Sequence, residues 1–115
     1  MNSSDIQRIV HIKTYCEDIV ETIGRFGQDY SVFTQDKDYF KSVSMSMMQI
    51  GELSAGLSDE FKNETQDQMQ WGAMKGMRNL FVHAYASMNK EVIWESAIRD
   101  ISGVLKFCDR ILSQE

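Results

Sequence analysis

The run Arg78-Asn79-Leu80-Phe81-Val82-His83-Ala84-Tyr85 sets a guanidinium, an amide, an imidazole and a phenol within a span of about two helical turns. A guanidinium stays charged and grips phosphate, while an imidazole with an ordinary pKa of about 6.5 exchanges protons near neutral pH. The combination suits phosphodiester cleavage without a metal. A base removes a 2′-hydroxyl proton, a cation stabilises charge on the nonbridging oxygens, and an acid protonates the departing 5′-oxygen. His83 fits the proton steps and Arg78 the charge. Asn79 lies one turn before His83 on the same face, where its amide can orient the imidazole. Arg78 sits roughly 140° around the axis from His83 and ~7.5 Å along it, so the arginine must use its length to reach the same phosphate. The chain has only one other histidine, His11, which reads as a surface residue of a separate helix. One protomer therefore supplies one suitable imidazole, and a symmetric homodimer would bring two copies of Arg78 and His83 to a shared cleft.

The elements that must position this run come from a chain of 115 residues, which fits one domain spanning residues 1–115. Apolar residues at 43% and charged residues at 25% are ordinary for a globular protein and argue against disorder. No stretch approaches the ~20 apolar residues of a membrane span, and the N-terminal residues lack the apolar block of a secretory signal, so a cytoplasmic location is expected. The net charge of −5 disfavours indiscriminate binding to polyanions, though it allows a focused phosphate pocket inside an acidic shell.

Proline is absent and no segment alternates like a strand, which predicts an all-α, up-and-down bundle. Ser4 with Gln7 reads as a capping box opening a helix over residues 5–26, with Ile6, Ile9, Val10, Cys16, Ile19, Val20, Ile23 and Phe26 as its apolar stripe. Gly24 and Gly27 mark its end, and residues 28–37 read as a polar connection carrying Tyr30 and Phe33. A second helix begins near Asp38 and packs through Phe40, Val43, Met47, Ile50 and Leu57, leaving Met45 to face a partner. Residues 58–70 read as its tail and a loop or short helical turn. The third helix starts at Trp71 and ends near His83, with Gly72 and Gly76 clearing one side for another helix. Asn89 then caps a long final helix striped by Ile93, Ala97, Ile98, Ile101, Val104, Leu105, Cys108, Ile111 and Leu112.

Cys16 and Cys108 stand alone at apolar-face positions and read as buried free thiols, and the distant histidines and cysteines form no zinc pattern. No metal or other cofactor is expected. On residue types alone, a histidine near a helix C-terminus is also an ordinary cap, and an arginine in a bundle an ordinary packing partner. A helical interaction protein in which residues 78–85 merely pack a dimer is therefore the bland alternative.

Met77-Arg78-Asn79, His83-Ala84-Tyr85 and Val92-Ile93-Trp94, together with Gln49-Ile50-Gly51-Glu52-Leu53 and Trp71, make the chain resemble the HEPN superfamily. The resemblance is to the HepT-like toxins paired with MNT-type nucleotidyltransferase antitoxins, and it covers nearly the whole chain. It implies a four-to-five-helix bundle, usually homodimeric, with a metal-independent ribonuclease site at the dimer cleft and RNA as substrate. Arg78 and His83 would be the catalytic pair and Asn79 the polar residue beside the arginine. Tyr85 matches the tyrosine that a partner nucleotidyltransferase can adenylylate with ATP, and Glu52 a recurrent acidic position on the second helix. Two positions depart from the common pattern: Gln70 replaces the proline before Trp71, and Leu80 or Phe81 a basic residue. The alternative under the same resemblance is a noncatalytic HEPN module that binds a nucleotidyltransferase or nucleotide.

Overall fold

Asn2, not Ser4, starts the first helix: its side-chain oxygen accepts the Asp5 N–H at 2.7 Å, and Ser4 lies inside the helix. The expected Ser4 capping box gives way because Asn2, two residues earlier, already accepts the N–H of Asp5. Only 2% exposed, its carboxylate accepts the Ser58 N–H at 2.9 Å and the Ser58 hydroxyl at 2.6 Å. That clasp fixes the first turn of α1 (Ser3–Phe26) against the start of α4 (Asp59–Glu64), whose N-cap is Ser58 itself. The computed structural model describes residues 1–84 and 90–114, the side chains of Met77 and of residues 79–84 excepted.

Among the described residues the secondary structure is entirely helical. The remaining helices are α2 (Tyr30–Gln35), α3 (Lys37–Ala55), α5 (Trp71–Ala84), α6 (Lys90–Arg99) and α7 (Ile101–Ser113). The bundle is organised around α1 and α3, with α7 against α1 and α5 against α3. Its four long helical stretches match the expected arms and α4 is the short helical turn allowed within residues 58–70, but α2 is added and the last arm is broken. The predicted cap at Asn89 lies outside the described residues.

Each departure has a local cause. The connection after α1 becomes α2 because Asp29 caps it, accepting the Val32 N–H at 3.2 Å, and because Phe33 is fully buried. The Phe33 ring lies 5.0 Å from Trp94 and 5.3 Å from Tyr39, so this short segment plugs an aromatic cluster joining α2, α3 and α6. Gly24 stays helical, whereas Gly27 ends α1 at a φ of 98° that favours glycine and offers its carbonyl to the Tyr39 hydroxyl at 2.8 Å. Val10 and Val20 face solvent at 42% and 51% exposure. They sit beside the true stripe of Ile9, Ile12, Cys16 and Ile19 rather than in it. The final arm breaks at Asp100, and the new register of α7 buries Phe107, which the uninterrupted stripe omitted.

Within the protomer, the close helix approach expected at Gly72 and Gly76 is made at a different glycine. Among the described residues, a Cβ on Gly72 or Gly76 would meet nothing within 4 Å. The close approach occurs at Gly51, where a Cβ would stand 2.8 Å from the Arg78 backbone nitrogen and 2.9 Å from the Arg78 Cβ. Gly51 therefore lets α5 settle onto α3 at Arg78 itself.

Cys16 and Cys108 are buried free thiols, as expected. Burial is the main cause pushing both up from the ordinary 9.0, Cys108 to about 12 and Cys16 further. Because the folded state holds the neutral thiols, their contribution to stability is complete below about pH 9 and lost as pH rises toward about 12. Urea midpoints should accordingly fall over that window, and a disulfide-exchange reagent should label the thiols only at the rate of unfolding. Fast labelling of folded protein would contradict their burial.

Gly51→Ala should cost about 1–3 kcal/mol through overpacking against the Arg78 backbone. Gly76→Ala should leave stability unchanged or raise it by up to about 1 kcal/mol. Equilibrium urea unfolding of the two variants decides the matter, and equal behaviour would remove Gly51 from its role.

Candidate active site

Trp71 fixes the beginning of the motif helix. Its indole N–H donates to the Thr65 hydroxyl at 3.0 Å, and its ring packs 5.9 Å from Phe61 and 5.6 Å from Phe107. Gln70 in place of proline does not prevent a defined start, since its carbonyl accepts the Ala73 and Met74 N–H groups at 3.1 and 3.2 Å. One further turn along α5, Met74 is buried, and the next turn brings Arg78 over Gly51. Beyond the end of α5, the opening of α6 is held by Lys90. Its ammonium donates to the Thr34 carbonyl at 2.9 Å and lies 4.8 Å from the Phe40 ring centre.

At the contact of α3 and α5, Arg78 Nε lies 2.6 Å from Glu52 Oε1. The Nε–H makes no hydrogen bond in this geometry, although the nitrogen is buried, so the contact is an ion pair with the donor poorly aligned. The side chains are 38% and 46% exposed, which leaves both charges open to solvent and to a ligand. Such a pair contributes at most about 1 kcal/mol to stability, so its consequence is where the guanidinium rests rather than how firmly the fold is held.

The structure thus brings two of the sequence-selected residues, Arg78 and Glu52, into contact. Asn79 and His83 belong to α5, one turn apart as expected, but their side chains lie outside the described residues; Tyr85 lies wholly outside them. His11 is exposed on α1, as its sequence context suggested. Met45 is 51% exposed and precedes Glu52 by two helical turns on the same face of α3. No group of three histidine, cysteine, aspartate or glutamate residues suited to a metal ion occurs among the described residues, and no described helix is long and apolar enough to cross a membrane.

Gly51 and Arg8 were not singled out from residue types. Gly51 had one signal, being the sole glycine within α3, flanked by Ile50 of the core and Glu52 of the site. Arg8 had none, because its neighbour Gly56 is more than 40 positions away.

A helical bundle that presents an arginine–carboxylate pair on its third long arm's contact face is the setting in which the comparisons with known proteins fit. The profile of the HepT-like ribonuclease family matches residues 12–111, and the chain belongs to that family. It is 30% identical over 105 residues to a protein provisionally named an RNase from Caldanaerobacter subterraneus subsp. tengcongensis, covering 91% of each chain. A similarly named protein of Methanocaldococcus jannaschii is 29% identical over 106 residues, 88% of this chain and 87% of its own. A protein provisionally named ribonuclease HepT from Thermococcus cleftensis is 31% identical over 94 residues, 77% of this chain and 84% of its own. No solved structure gives a significant match.

Since the Arg78–Glu52 pair is exposed, Glu52→Gln should change the unfolding free energy by less than about 1 kcal/mol. A loss of several kcal/mol in urea titration would mean that Glu52 holds the fold instead of the guanidinium.

Proposed function

We propose that this protein is the ribonuclease toxin of a toxin–antitoxin pair, with Arg78 and His83 of two protomers forming one RNA-cleaving cleft. The observation that carries the proposal is the position of Arg78. It is seated on Gly51, tethered by Glu52 and open to solvent in a chain whose family is ribonucleolytic. In the proposed reaction, His83 takes the 2′-hydroxyl proton and the 2′-oxygen attacks phosphorus. The bond to the 5′-oxygen breaks, that oxygen takes a proton, and a 2′,3′-cyclic phosphate remains. Arg78 stabilises the charge on the nonbridging oxygens, for which no metal is required. Asn79 orients His83, and Glu52 keeps Arg78 extended toward the cleft until phosphate replaces it.

The homodimer supplies the second imidazole. The exposed Met45 beside Glu52 supports a protomer contact on this face of α3, because a large apolar side chain there gains from being covered. Control falls to an MNT-type nucleotidyltransferase acting in the cytoplasm. The Tyr85 oxygen attacks the α-phosphorus of ATP, pyrophosphate leaves, the phenol proton is released, and the attached nucleotide phosphate competes for Arg78.

A noncatalytic module that only binds the nucleotidyltransferase is favoured by two facts: Arg78 is already paired, and the net charge is −5. Cleavage of RNA by the purified homodimer in the presence of a chelator separates the readings. Arg78→Ala and His83→Ala should each lower the rate at least about 100-fold while the protein stays folded. Undiminished cleavage by either variant would remove that residue from the site. Absent wild-type cleavage with retained nucleotidyltransferase binding would establish the binding module.

A further inference from the structure

A second cation reaches the same face of α3 that holds Arg78. The guanidinium of Arg8, from α1, lies so close over Gly56 that a Cβ there would collide with it. Gly56 follows Glu52 by four residues at the end of α3, one turn along the same face. Glu52, which pairs with the Arg78 guanidinium, and Gly56, which underlies the Arg8 guanidinium, are therefore one turn and about 6 Å apart along α3, one cation arriving from α5 and the other from α1. Beside Arg8 is a pocket of about 210 Å³ lined by Ser4, Gln7, Arg8 and His11 of α1 and by Leu53 of α3. Apart from Leu53, every lining side chain can donate a hydrogen bond, and no carboxylate lines the pocket. The nearby Asp5 carboxylate is occupied by Ser58. Arg8 Nε is buried and has no hydrogen-bond partner, and Arg8 has no ion pair among the described residues. A guanidinium without a carboxylate partner, lining a pocket of hydrogen-bond donors, is matched by an anion.

We infer that Arg8, His11, Gln7 and Ser4 form a phosphate subsite, which holds the RNA backbone phosphate next to the one gripped by Arg78. The inference rests on the ribonuclease reading above and extends it by naming how the strand is aligned. Two cation seats one helical turn apart fit consecutive phosphates of an extended single strand, and neither seat reads a base. The subsite therefore gives affinity and register without sequence preference. It also reconciles an acidic chain with a polyanionic substrate: the positive groups are few, but they are lined up along one flank of α3.

The test is equilibrium binding of a short, uncleavable 2′-O-methyl RNA strand, titrated over a range of salt, alongside cleavage of the ordinary strand. Arg8→Gln should weaken binding about tenfold and reduce the slope of log affinity against log salt by about 0.7, the value of one single-strand phosphate contact. Arg8→Lys should keep the slope. His11→Ala, an exposed change, should weaken binding about threefold. Gly56→Ala should reproduce Arg8→Gln by displacing the guanidinium, without strain in the backbone, where φ is −87°. Wild-type affinity and slope in Arg8→Gln, His11→Ala and Gly56→Ala would overturn the subsite, and wild-type cleavage in the same samples would leave the ribonuclease reading standing. Failure of the wild-type protein both to bind and to cleave would overturn the two together. Dissociation of Arg8→Gln to monomers in sedimentation, with an unchanged salt slope, would overturn the subsite by making the pocket a contact between protomers.

Discussion

Where a Cβ would stand on Gly51, the backbone nitrogen and Cβ of Arg78 already occupy the space. This single close approach sets the distance between α3 and α5, and with it the place of Arg78. Because the contact is to the Arg78 backbone, it fixes the root of the side chain as well as the helix. The Glu52 carboxylate, adjacent to Gly51, then sets the direction of the guanidinium. Helix packing at a glycine and electrostatic aim at its neighbour are thus two consequences of one dipeptide. The clusters at Trp71 and at Lys90 serve the same end from the flanks, since they prevent α5 and α6 from sliding along α3.

The electrostatic design is local. A net charge of −5 gives the chain little attraction for RNA at a distance, and the ion pair at Arg78 is too exposed to matter for stability. In the proposed site, phosphate binding would depend on reaching the face of α3 that receives Arg8 from α1 and Arg78 from α5. The exposed pair also makes that site sensitive to any added negative charge, since a competing phosphate needs only to displace a carboxylate from a half-exposed arginine.

The fold class was legible because the information for it is periodic. Ile9, Ile12, Cys16 and Ile19, or Ile101, Val104 and Cys108, recur at helical spacing whatever lies around them. The caps and breaks were less legible because they are decided by distant partners. Asn2 takes the cap from Ser4 by accepting the Asp5 N–H, while Asp5 itself is held by distant Ser58, and Phe33 turns a polar connection into α2 through contacts with Trp94. Spacing alone made Gly72 and Gly76 look like the packing notch, yet a notch is defined by the opposing helix, and that helix meets Gly51. At the site, residue types singled out Arg78 and the family resemblance singled out Glu52, but their direct contact is a tertiary fact that no local pattern carries. Arg8 escaped notice for the same reason.

In the proposed reaction, RNA is cleaved in a cleft to which each protomer contributes a part. A heterodimer that joins one Arg78→Ala protomer to one His83→Ala protomer, purified through two different affinity tags, contains one intact arginine and one intact histidine on opposite chains. Its chelator-resistant RNA cleavage rate is the decisive measurement. Activity well above that of either parent homodimer is the predicted result, and a heterodimer as inactive as its parents, beside an active wild-type dimer, would contradict the shared cleft.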